Sequence, residues 1–111
     1  MEDSTNKVAE HKKLCLELNN LYAKKNSDYG DSFGKSFGEY GMIMSCIRLE
    51  DKLNRIKQIV KNKGVRKVTD ESIRDTLIDL ANYSLMTVLE YDKIYPNKPD
   101  SNVDFEYIKK W

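Results

Sequence analysis

Three carboxylates and an amide recur at helical spacing in one stretch of the chain. Glu71, Asp75 and Asp79 follow one another every four residues, and Asn82 comes three residues later. At about 100° per residue, all four fall within roughly an 80° arc of a helix. Like charges four residues apart destabilise an isolated helix by roughly 0.2–0.5 kcal/mol per pair. The stretch therefore predicts that a cation, a basic helix or plain solvent faces these carboxylates.

A second charged strip precedes this stretch and carries Arg48, Asp51, Lys52 and Arg55. One interpretation is a solvated helix face, which is what such strips usually are. The other is that the strip faces the carboxylates of the later helix. Arg48 and Arg55 are two turns apart, so both can point toward one ligand or one partner helix.

Residues 24–38 combine glycines, lysines and aromatic rings, and they contain three of the five glycines of the chain. Glycine lets the backbone turn with positive φ and lets a ligand approach closely, and aromatic rings offer faces on which a base can stack. The stretch is either a flexible connection whose rings cover the end of a bundle or a loop that contacts a ligand. In the second case the contacts to a base or sugar would come from Lys25, Asn26, Asp28, Tyr29 and Phe33.

Hydrophobic periodicity predicts three long helices, at about residues 4–25, 39–63 and 70–94, with Pro96 ending the last one. The second helix carries the clearest apolar pattern, and the third is apolar over a wide arc. The fold class is therefore all-α, a bundle of three long helices with a Gly/aromatic loop after the first and a short C-terminal tail. The apolar pattern of the second helix consists of Met42, Cys46, Leu49, Leu53, Ile56 and Val60.

Composition limits the possible partners. The 111 residues suit a single domain, with residues 1–3 and 96–111 as flanking segments. A net charge of +1 gives no field that would hold a nucleic-acid polymer or an anionic membrane. No membrane span and no signal peptide are evident, which favours a cytoplasmic location. Cys15 and Cys46 are expected to be buried free thiols, and His11 a partly buried packing residue.

These residue types together suit a nucleoside phosphate as ligand. Carboxylates within a bundle suit Mg²⁺, which takes oxygen ligands and is often shared with substrate phosphates. Arg48, Lys52 and Arg55 would neutralise the phosphates. No Ser/Cys–His nucleophile is evident, so covalent catalysis is not expected.

Three segments also carry a resemblance to a known family: residues 21–33 (LYAKKNSDYGDSF), 47–56 (IRLEDKLNRI) and 68–83 (VTDESIRDTLIDLANY). They resemble the successive motifs of the nucleotide-modification-associated domain 1 family, which is common in phages and prophages. That family resembles in turn the all-α NTP pyrophosphatases of the MazG and dimeric dUTPase type. Those enzymes are magnesium-dependent helical oligomers that cleave nucleoside triphosphates to a monophosphate and pyrophosphate.

The resemblance implies a MazG-like fold and assigns roles to the acidic residues. Glu71, Asp75 and Asp79 fall where the pyrophosphatases carry their second acidic motif. Their first motif, Glu-x-x-Glu on the preceding helix, corresponds here to Asp51 with Glu50 alongside, so one well-placed carboxylate stands where the enzymes have two.

Three functions remain open at this point. The first is a magnesium-dependent nucleoside triphosphate pyrophosphohydrolase of phage-type nucleotide metabolism, a homodimer or homotetramer in the host cytoplasm. The second is a protein that binds or sequesters a nucleotide without turnover, and the third is a structural helical bundle. In the first, Glu71 and Asp75 are catalytic, Asn82 contacts the ligand, and the metal is held by Asp51, Glu71, Asp75 and Asp79.

Overall fold

The computed structural model describes residues 4–62 and 70–96, which form four helices. They are α1 (Ser4–Tyr29), α2 (Ser32–Tyr40), α3 (Met42–Lys61) and α4 (Asp70–Ile94), and no strand occurs among the described residues. The all-α class is thereby confirmed. The predicted helix end near residue 63 and the aromatic tail beyond Pro96 lie outside the described residues.

The predicted Gly/aromatic loop is largely helical, so that prediction was wrong. α1 continues to Tyr29, and α2 begins two residues after Gly30. The side chain of Asp31 caps α2 by accepting a hydrogen bond from the backbone N–H of Gly34 at 3.0 Å. Only Gly30 and Gly41 adopt positive φ among the described residues, at 70° and 78°, and these two glycines separate the helices. α2 is therefore a short helix between two glycine breaks.

α3 and α4 form the largest helix–helix contact and run antiparallel. Residues with increasing numbers along α3 contact residues with decreasing numbers along α4, which shows that the two helices run in opposite directions. Three side-chain hydrogen bonds link them: Ser45 with Thr87 at 3.0 Å, Lys52 with Asp79 at 3.3 Å, and Arg55 with Thr76 at 3.2 Å.

α1 is attached to α4 by polar contacts. The guanidinium group of Arg74 donates two hydrogen bonds to the carboxylate of Glu17, at 2.7 and 2.8 Å. These bonds hold the pKa of Glu17 below its usual value. The amide group of Asn82 donates to the carbonyl oxygen of Leu18 at 3.2 Å. These contacts all come from the second half of α1, and its first half is exposed.

The hydrophobic core of the described residues is small. The buried hydrophobic side chains are Phe37, Met44 and Ile59. The apolar pattern predicted for the second helix lies on α3, and we name it the α3 stripe: Met42, Cys46, Leu49, Leu53, Ile56 and Val60. It is only half buried, since Leu53 is 45% exposed and Val60 53% exposed.

Two further burial predictions were wrong. Cys15 and Cys46 are free thiols, as expected, but both are exposed. Cys46 lies on the open side of α3, and Cys15 lies within residues 6–16 of α1, which are all exposed. His11 is exposed in the same segment, with its ring nitrogen Nδ1 3.7 Å from the Sγ of Cys15.

None of the described helices has both the length and the apolar character needed to cross a bilayer.

Candidate functional site

A cleft of about 270 Å³ opens where the end of α1 and the start of α2 meet α3 and α4. All four helices contribute to it, so its shape depends on how α1 and α2 sit on the α3–α4 pair. The residues that line it are Tyr22, Lys25, Asn26, Tyr29, Gly30, Asp31, Ser32, Phe33, Ser36, Met44, Arg48, Asp79, Asn82, Tyr83 and Met86.

One side of the cleft is aromatic. The rings of Phe33 and Tyr83 lie 5.9 Å apart between centroids and are tilted by 41°. Phe37, which is buried, stands behind Phe33 at 6.4 Å. Tyr22 lines the wall, and Tyr29, which is 75% exposed, stands at the mouth. This side offers ring faces to a flat, partly apolar ligand.

The other side of the cleft is charged. Asp79 lies between two ammonium groups, with its Oδ2 3.3 Å from Lys52 and its Oδ1 3.6 Å from Lys25. Lys52 also lies 5.8 Å from the centroid of the Tyr83 ring. Arg48 lines the same cleft and has no ion pair within the described part of the chain. The cleft thus holds one guanidinium group that is free to meet an anion.

Asn82 joins the two sides. Its amide nitrogen is engaged with the carbonyl oxygen of Leu18. Its amide oxygen has no partner among the residues described and is available to accept a hydrogen bond. Because the bond to Leu18 anchors this side chain, α1 and the ligand-facing part of α4 are held in one arrangement.

Most of the predicted ligand contacts come together in this cleft. Lys52 reaches it through its ion pair with Asp79. Arg55 is used elsewhere, since its Nε donates to the hydroxyl of Thr76 at 3.2 Å. Asp28 is exposed and does not line the cleft. The predicted residues that line it are Lys25, Asn26, Tyr29, Phe33, Arg48, Asp79 and Asn82.

The predicted carboxylates are more dispersed. Asp51 and Asp75 are exposed and do not line the cleft, and the side chain of Glu71 lies outside the described residues. The basic strip of α3 meets these carboxylates at a single described point, between Lys52 and Asp79.

The described residues do not fit a magnesium centre as they stand. They contain no group of three or more His, Cys, Asp or Glu side chains close enough to share a metal ion. The one carboxylate in the cleft that is not a helix cap, Asp79, has both oxygens on lysines. A magnesium ion there would have to displace two ammonium groups. The roles of Asp51, Glu71 and Asp75 in metal binding and catalysis stay predictions.

Sequence reasoning missed the cleft residues whose types also fit a hydrophobic core. Tyr22 lies on the apolar stripe of α1, and Tyr83 follows Asn82 directly. Both carry a polar hydroxyl on a largely apolar ring, which is the signal that could have indicated them. Met44 and Met86 gave no such signal.

Comparison with known proteins gives a match to a protein family. Residues 25–91 match the sequence model of a family described as nucleotide modification associated domain 1. The matched segment includes every residue that lines the cleft except Tyr22. No curated protein and no solved structure matches the chain.

Proposed function

Because the chain belongs to the nucleotide modification associated domain 1 family, we propose that its cleft binds a nucleoside phosphate. The observation that carries this proposal is that the Phe33–Tyr83 ring pair and the free guanidinium group of Arg48 line one cleft. A nucleotide presents the same two chemistries, a flat base and an anionic phosphate chain.

The base would lie against the aromatic side. Stacking of a base on an aromatic side chain contributes about 1–3 kcal/mol and tolerates different bases. The Phe33 ring is supported from behind by the buried Phe37, so it can act as a fixed wall. Tyr29 at the mouth can close over an inserted base, since most of its surface is exposed.

The phosphates would lie against the charged side. Arg48 can form two parallel hydrogen bonds to a phosphate without first breaking an ion pair. Lys25 and Lys52 would exchange part of their contact with Asp79 for phosphate oxygens. The Asp79 pairs are partly exposed, and an exposed pair contributes at most about 1 kcal/mol, so the exchange costs little.

The volume of the cleft supports partial enclosure. Ligand pockets commonly measure about 300–1,000 Å³, and this cleft has about 270 Å³. The cleft is therefore large enough to receive roughly a base and its sugar, and a phosphate chain would extend toward the open, charged side.

Hydrolysis of the bound nucleotide to a monophosphate and pyrophosphate is the second candidate. It is favoured by Asp79, a carboxylate at the phosphate side of the cleft. The resemblance to the MazG-type enzymes points to the same reaction and to magnesium. Because Asp79 is engaged by two lysines, this function requires that the nucleotide first draw the lysines away from it.

A thermal-shift screen of the full chain tests the proposal. The common ribo- and deoxyribonucleoside triphosphates are added with and without magnesium, and pyrophosphate is assayed in the same wells. A rise in melting temperature that the matching nucleosides do not produce is the expected result. Pyrophosphate release would add the hydrolase function. No shift with any nucleotide would contradict nucleotide binding.

A matched pair of variants shows whether the cleft is responsible. Arg48→Ala removes the free cation of the cleft and is expected to reduce the shift. Lys61→Ala removes an exposed cation from the same helix outside the cleft and is expected to leave the shift unchanged.

A further inference from the structure

The α3–α4 pair has an apolar face on the side opposite the cleft. On α3, Arg48 lies roughly 60° to one side of the buried Ser45, and Leu53 lies roughly 80° to the other side. On α4, Asp79 lies roughly 60° from the buried Thr76 in the same rotational sense as Arg48 from Ser45. Leu77 lies roughly 100° from Thr76 in the sense of Leu53. Because the helices are antiparallel and the two cleft residues share one side, Leu53 and Leu77 share the other.

Two stripes make up this face, which we name the apolar face. One is the α3 stripe defined above. The other runs along α4 with the same alternating spacing of four and three residues, and consists of Leu77, Ala81, Ser84, Val88 and Tyr91. Sustained spacing of this kind forms a seam that receives the side chains of another helix.

The apolar face is not covered by any described helix. Leu77 is 49% exposed and Val88 is 52% exposed, similar to Leu53 and Val60 on α3. Contiguous apolar surface of this extent on a folded chain marks an interaction site. The question is which molecule covers it.

We propose that a second copy of this chain occupies the apolar face, so that the α3–α4 pairs of two copies pack face to face. The charges at its edge support this occupant. Glu50 and Lys57 are both exposed, lie seven residues apart on the outer edge of the α3 stripe, and are nearly equidistant from Leu53. When two α3 helices cross antiparallel at Leu53, Glu50 of each copy meets Lys57 of the other. A two-fold axis supplies both pairs at once.

The size of the face also fits a dimer. From Met42 to Val60 the α3 stripe is about 27 Å long at 1.5 Å per residue. Two helices about 10 Å apart make the face about 20 Å wide, or on the order of 500 Å² in flat projection. The corrugated accessible surface is larger than this projection and approaches the roughly 800 Å² per partner of a standard interface. The inference does not depend on the proposed function, because the face lies opposite the cleft.

Sedimentation equilibrium of the full chain tests the proposal. The wild type is expected to have twice the 13.0 kDa mass of the chain. Leu53→Glu is expected to raise the dissociation constant by roughly 100-fold or more, since symmetry places the charge in the interface twice. Leu14→Glu is the control, because Leu14 on α1 is 42% exposed and lies outside the apolar face. Circular dichroism verifies that both variants keep their helices.

Other results would overturn the proposal. A monomeric wild type would overturn the proposed dimer, and residues 97–111 of the same chain would then be the candidate to cover the apolar face. A dimer that Leu53→Glu does not weaken would do so as well, because the contact would then lie on another surface.

Charge reversal tests the antiparallel arrangement. Glu50→Lys alone is expected to weaken the dimer a few-fold, and Glu50→Lys with Lys57→Glu is expected to restore it. A double variant as weak as the single one would contradict the antiparallel crossing.

Alkylation of the native thiols gives an independent readout. Cys46 lies on the apolar face and Cys15 does not. Dimerisation is expected to slow the modification of Cys46, and Leu53→Glu is expected to restore its rate. Equal rates for Cys46 in the wild type and in Leu53→Glu would count against the interface.

Discussion

The carboxylate of Asp79 accepts a hydrogen bond from the ammonium group of Lys52, 3.3 Å away across the contact between α3 and α4. Lys25 of α1 approaches the other oxygen of the same carboxylate at 3.6 Å. One side chain thus holds two of the three cations near the cleft. The availability of these cations to a phosphate depends on this carboxylate.

Replacing Asp79 by Asn separates the two proposed functions. If the protein binds nucleotides without turnover, the freed lysines raise the affinity for a nucleoside triphosphate by about five-fold, since an exposed pair contributes up to about 1 kcal/mol. If Asp79 takes part in hydrolysis, Asp79→Asn abolishes pyrophosphate release. Isothermal titration and a pyrophosphate assay measure the two effects. Weaker binding by Asp79→Asn without magnesium would contradict the assignment of Lys25 and Lys52 to the phosphate side.

Replacing Tyr83 by Ala removes one ring of the Phe33–Tyr83 pair on the aromatic side of the cleft. We expect nucleotide affinity to fall roughly 5- to 150-fold, which corresponds to about 1–3 kcal/mol of stacking. Tyr83→Phe keeps the ring and should retain the affinity within about two-fold. The two variants are compared by isothermal titration after circular dichroism shows that both are folded. Equal affinity in Tyr83→Ala and the wild type would place the base elsewhere.

The buried hydroxyl pair between α3 and α4 predicts a non-additive stability effect. Thr87 lies 2.8 Å from the carbonyl oxygen of Tyr83 and 3.0 Å from the hydroxyl of Ser45, which is fully buried. Thr87→Val leaves the Ser45 hydroxyl without this partner and is expected to cost about 1–3 kcal/mol. The double variant with Ser45→Ala should recover part of the loss. Thermal unfolding measures both, and a double variant less stable than Thr87→Val would refute the coupling.

Alanine substitutions at two glycines, Gly41 between α2 and α3 and Gly38 inside α2, should change stability in opposite directions. Gly41 has φ 78° and ψ −164°, a region that is essentially restricted to glycine, so Gly41→Ala should cost about 1–3 kcal/mol. Gly38 lies inside α2 with open space around its Cα, so Gly38→Ala should stabilise by about 0.5–1 kcal/mol. Denaturant unfolding compares them. Equal stability of the two variants would show that the break at Gly41 is not required.

The Glu17–Arg74 pair predicts a pH dependence of stability. The hydrogen bonds from Arg74 lower the pKa of Glu17 in the folded chain. The pair therefore contributes fully to the free energy of unfolding above the usual pKa of a glutamate. This contribution is lost as the pH falls through the lowered pKa of Glu17. Both side chains are largely exposed, so the effect is small. Melting temperatures from pH 7 to pH 3 should decrease less steeply for Glu17→Gln than for the wild type, and identical slopes would contradict the assignment.

The sequence predicted the long helices because their periodicity is strong, but it did not predict α2. Gly34 and Gly38 suggested a loop, whereas the Asp31 cap and the apolar Phe33 and Phe37 outweigh their low helix propensity. Helical spacing also placed the α3 stripe correctly on one side of α3. It could not show that this side is uncovered, because burial depends on which helices pack where.

The candidate site was predictable in its residue types and less so in its geometry. Lys25, Arg48 and Asn82 could be expected near one another, since their types and positions agree with a nucleotide site. Helical spacing alone could not show that Lys52 of α3 pairs with Asp79 and not with Asp75. That choice depends on the register of α3 against α4. The pairing of Ser45 with Thr87 belongs to this register, and neither residue stands out in the sequence.

Nuclear magnetic resonance of the ¹⁵N-labelled full chain is the most direct test of whether the cleft binds a nucleoside phosphate. Amide shifts are followed while a nucleoside triphosphate is added without magnesium, and the matching nucleoside serves as the control. Saturable shift changes are expected at the cleft, around Lys25, Phe33, Arg48 and Tyr83, and they should be larger for the triphosphate. Changes confined to other surfaces, or none with any common nucleotide, would contradict nucleotide binding in this cleft.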